Sequence, residues 1–73
     1  MDHSHIVTRF DKDLSEIESL LVEMADLVAK QINDSALALQ LGDNQLAKAV
    51  TKNDSKINRL EEKIDDKAIR LIA

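Results

Sequence analysis

No proline interrupts this chain, and its one glycine, Gly42, lies a little past the middle. These two facts constrain the fold most. A proline-free stretch on either side of a single glycine favours two long helices joined at one break. Strands gain little, because the aromatic residues they favour are limited to Phe10. At 73 residues the chain makes at most one domain, in the size range where a single core is marginal.

The apolar residues give both stretches helical rhythm. Before the glycine they recur at spacings of four and three: Phe10, Leu14, Ile17, Leu21, Met24 and Val28. The seam then weakens through Gln31 and Ser35 to Ala38. Leu20 and Leu27 widen it on one flank, and Ile32, Ala36 and Leu39 carry the apolar surface further. A stripe this broad suits a helix with two neighbours better than the narrow seam of a two-stranded coiled coil. Thr8 and Asp11 are equal candidates to cap its start. Gly42 can take the left-handed conformation that closes a helix, and Asp43 or Asn44 can open the next. Beyond the turn the rhythm resumes with Leu46, Val50, Asn53, Ile57, Leu60, Ile64, Ala68 and Leu71. Asn53 on that seam either fixes register or stays wet near the loop.

The expected architecture is therefore all-α. A leader over 1–8 precedes helix one at about 9–41, a turn at Gly42 and helix two at about 44–72, forming an antiparallel hairpin. The expected core and interface comprise Phe10, Leu14, Ile17, Leu20, Leu21, Met24, Leu27, Val28, Leu46, Val50, Ile57, Leu60, Ile64, Ala68 and Leu71. One seam cannot cover so much apolar surface, and the flanks at Leu20, Leu27, Ile32, Ile69 and Ile72 would stay wet. Two resolutions are open: self-association into a four-helix bundle, with a dimer expected, or a third helix. The ending "AIRLIA" fits the second as well as the first, since it reads as helix interior with no stop signal.

Charge divides the chain. Residues 1–42 hold eight acids and three bases, and residues 43–73 hold six acids and seven bases. On helix two Lys52, Lys56, Arg59, Lys63 and Arg70 line one flank, and Asp54, Asn58, Glu61 and Asp65 line the other. Such complementarity orients two helices, although each exposed pair contributes only about 0–1 kcal/mol. The net charge of −4 and the lack of stacking aromatics argue against nucleic acid as a partner. "MDHSHIVTRFDKD" has no apolar signal core, and no run approaches the roughly 20 apolar residues that span a bilayer. A cytoplasmic location without membrane insertion is expected.

Few residues could carry chemistry. Without cysteine there is no disulfide or thiolate metal site. No serine has a histidine in the ordered pattern to activate it, and no glycine-rich loop could cradle a phosphate. His3 and His5 lie in the leader. A carboxylate-bridged metal enzyme would need histidines on facing helices, which disfavours that class. What remains is Glu61 and Asp65, one turn apart, which could offer hard oxygens to a divalent metal or iron or could be solvated charges. Glu62 and Asp66 form a displaced pair, and Asp66 also stands four before Arg70 as a surface ion pair.

Three stretches carry a resemblance: the opening "HIVTRFDKDL", the continuation "MADLVAKQINDSALAL", and "DNQLAKAVTKNDSKINRLEEKIDDKAIRLIA". In order and spacing they resemble the N-terminal part of the PhoU family, accessory and regulatory proteins of bacterial high-affinity phosphate transport. The resemblance implies the first two helices of a three-helix bundle. It also implies a metal-binding E/D-x-x-x-D motif, matched here by Glu61 and Asp65, whose partner motif falls on a third helix. It further implies a non-enzymatic adaptor that docks on the transporter ATPase and the sensor histidine kinase and restrains the phosphate-starvation response. The rival reading is a self-associating coiled-coil or four-helix-bundle module without a phosphate role.

Overall fold

The computed structural model describes residues 8–73, so the sequence reading of His3 and His5 falls outside the described residues. Two helices, α1 (Arg9–Leu41) and α2 (Asn44–Ile72), pack antiparallel as an all-α hairpin. Thr8 settles the first cap: its hydroxyl accepts the Asp11 N–H at 3.2 Å, and the Asp11 carboxylate accepts the Thr8 N–H at 3.2 Å. The two candidate caps thus act as the two halves of one capping box. Gly42 closes α1 at φ 64°, in the left-handed region, while the Asp43 N–H donates to the Ala38 carbonyl at 3.1 Å. The Asp43 carboxylate then accepts the N–H groups of Gln45 and Leu46 at 3.0 and 3.1 Å, which starts α2.

The seam on α2 runs through Leu46, Val50, Asn53, Ile57, Leu60, Ile64, Ala68 and Leu71, all half-buried. On α1 the seam differs from the expectation. Its half-buried positions are Asp13, Leu20, Met24, Leu27, Gln31, Asp34, Ser35 and Ala38 around Ile17, the one buried residue described. Phe10, Leu14, Leu21 and Val28, placed on the seam by periodicity, are exposed in the hairpin, Phe10 by 55%. Leu20 and Leu27, assigned to the wet flank, face α2 instead. The cause is geometric. One neighbour covers only part of an apolar stripe more than 100° wide, and the part chosen brings Glu16 level with Lys67 and Gln31 level with Asp54.

Candidate functional site

The hairpin has two unlike faces, each set by helical periodicity. On one, Lys67 of α2 donates to Glu16 of α1 at 2.9 Å. That hydrogen bond, the Lys67 charge and, more weakly, Lys12 hold the Glu16 carboxyl below its usual range, against a small opposing effect of burial. A cleft of about 550 Å³ lies beside this bridge, between Arg9, Asp13 and Glu16 of α1 and Lys67, Arg70 and Leu71 of α2. Its acids and bases nearly balance, an arrangement suited to holding the helix ends together.

On the opposite face, Leu39 of α1 borders Ala47 and Val50 of α2 in a cleft of about 390 Å³ next to the turn. Followed back along α1 in steps of seven and four, the Leu39 line continues through Ile32, Val28 and Leu21 to Leu14. Followed along α2 from Val50, the same side passes Asp54 and reaches Glu61 and Asp65 three and about four turns later. Glu61 and Asp65 therefore lie on the same side of the hairpin as that line. Gln31 reaches across the seam and donates to the Asp54 carboxylate at 3.3 Å.

The carboxylate pair does not amount to a metal site by itself. Both residues are exposed, and among the described residues no group of three or more histidine, cysteine or acidic side chains converges. Two carboxylates supply part of the roughly six oxygens a hard cation takes. The remaining ligands would have to come from outside the hairpin.

Sequence reasoning missed both cross-helix polar contacts. Lys67 was absent from the basic flank, and Gln31 read only as a weak point in a seam. A signal existed: about a turn at Gly42 and Asp43, Glu16 lies level with Lys67 and Gln31 with Asp54, and each pair is complementary. No helix among the described residues is long and apolar enough to cross a membrane.

Comparison with known proteins gives concordant matches. A family model described as the PhoU domain matches residues 21–73. The chain is 41% identical over 69 residues to a phosphate-specific transport system accessory protein PhoU homolog of Pseudomonas putida, an alignment covering 94% of this chain and 27% of the relative. It is 39% identical over 69 residues to the homolog of Pseudomonas aeruginosa, covering 94% and 28% of the two chains. With the phosphate-specific transport system accessory protein PhoU of Escherichia coli it shares 32% identity over 71 residues, covering 97% and 30%. The chain thus spans less than a third of the length of these curated relatives. No solved structure matches.

Proposed function

This chain belongs to the PhoU domain family, and on that premise we propose that it serves phosphate-uptake and phosphate-starvation signalling as a non-enzymatic adaptor in the cytoplasm. The observation carrying this reading is the 41% identity, across 94% of this chain, to a relative named as an accessory protein of phosphate-specific transport. The hairpin suits such a role. It offers two long surfaces of patterned charge and apolar character and few groups for chemistry. The acidic first helix and the basic flank of α2 give complementary docking surfaces for the transporter ATPase and the sensor histidine kinase, and occupancy of those surfaces restrains the starvation response. Glu61 and Asp65 contribute two carboxylates to a divalent-cation or iron site that is completed from outside the hairpin.

Expression of a phosphate-starvation reporter tests the reading, compared in cells carrying and lacking the gene that encodes this chain. The expected result is a raised reporter signal in phosphate-rich medium when the gene is lost, restored by supplying it. A reporter indifferent to the gene would overturn the proposal.

A further inference from the structure

All seven basic residues of α2 fall on one side of it, within a sector about 100° wide. Asp54, Glu61, Glu62 and Asp65 lie outside that sector, and of the acids of α2 only Asp66 shares it. Lys67, at the edge of the sector, turns to α1 and donates to Glu16 at 2.9 Å. The other six, Lys48, Lys52, Lys56, Arg59, Lys63 and Arg70, are exposed, and none is ion-paired among the described residues. They make a straight row about 33 Å long, at 1.5 Å per residue.

The row lies on the Glu16 side of the hairpin, away from Asp54, Glu61 and the open half of the α1 stripe. A further helix packed on that apolar half would leave the row uncovered. We propose that the row rests on the anionic lipid surface of a bilayer, with α2 lying along the membrane plane and not entering it. The inference rests on the function proposed above only in placing the chain beside a transporter, and it adds lipid to what the basic flank meets.

The make-up of the row selects lipid over other anions. Besides the cations, the sector holds only Gln45, Ala49 and Asp66. It therefore offers no large apolar or aromatic anchor for the centre of a protein interface, and lysine is depleted from such centres. Without stacking aromatics, and with a net charge of −4, the chain is poorly suited to nucleic acid. A bilayer asks for neither kind of anchor. Its surface is flat and its charge diffuse, so a straight row on one side of a rod meets it along the whole length. The lysines reach it on long flexible arms. With nothing apolar in the sector larger than alanine, the contact is electrostatic adsorption and not the burial of an apolar face among headgroups. The acids on the other side of α2 are repelled by the same surface, which turns the row toward it.

Flotation of the intact chain with lipid vesicles needs no partner protein, so its outcome is independent of the reporter experiment. The chain is expected to float with vesicles of phosphatidylcholine and phosphatidylglycerol and to stay behind with phosphatidylcholine alone, and added salt should release it. Each basic residue at an anionic leaflet strengthens binding about fivefold. Lys52→Gln should therefore weaken the partition about fivefold, and Lys52→Gln with Lys63→Gln about 25-fold, with helix content by circular dichroism unchanged. Asn58→Asp changes the net charge by the same amount as Lys52→Gln but lies outside the sector, and it should shift the partition by less than about twofold. No binding to anionic vesicles at low ionic strength, or an equal loss from Asn58→Asp, would overturn the inference. Displacement from the vesicles by polyglutamate or duplex DNA at matched charge would overturn it too, assigning the row to an acidic protein or a nucleic acid.

Discussion

Glu16 and Lys67 are the one charged pair that ties α1 to α2 in the described hairpin, at 2.9 Å. Lys67 is half-buried while Glu16 stays largely exposed. The bridge has a defined pH signature. Because its hydrogen bond and charge lower the folded-state pKa of Glu16 below the ordinary 4.5, the unfolded chain binds that proton more readily. The contribution to stability is fully present above the ordinary value and disappears as the pH falls through the lowered one. The thermal midpoint of the native chain should therefore exceed that of Glu16→Gln at neutral pH, by an amount that shrinks in acid. A gap that persisted unchanged into strong acid would remove the bridge as its cause.

At the scale of the elements, the two helices were legible to different degrees. One glycine, the capping residues and the period of the apolar positions were enough to give two helices and the turn. The α2 seam could also be read directly, because its apolar line is narrow and flanked by opposite charges from Lys56 and Arg59 to Glu61 and Asp65. The α1 stripe was too broad to reveal which half faces a single neighbour. Leu20 and Leu21 are adjacent, equally apolar and both near its middle. Which one turns inward is decided by the partner helix, through contacts such as Gln31 to Asp54 that no periodicity encodes. The carboxylates at 61 and 65 were visible in sequence, whereas the side of the hairpin they share with the open half of the α1 stripe depends on that same choice. Asn53 tests how register is held. It is half-buried between Val50 and Ile57 on an otherwise apolar line, and replacing it with leucine adds partly buried apolar surface worth about 1 kcal/mol. With Gln31 and Asp54 still fixing the register, Asn53→Leu should raise the denaturant midpoint without changing the slope. A lowered midpoint would assign Asn53 a necessary polar role.

The described hairpin measures 58 × 26 × 13 Å, and the shortest of these is about the diameter of a single helix. Domains normally bury their apolar faces between two packed layers, and this hairpin is one layer. Among the described residues it accordingly buries a single apolar side chain, Ile17, while Phe10, Leu21, Ile32, Leu39 and Ile72 all meet water. Helices in water draw most of their stability from packing of an apolar face, so helix content here should depend on whatever supplies the second layer. If a second copy of the chain supplies it, the amount is set by mass action. The far-ultraviolet helix signal is therefore expected to fall on dilution in step with the loss of dimer mass. It should recover on reconcentration. A fully helical monomer at low micromolar concentration, with a sharp unfolding transition independent of concentration, would show that one layer suffices.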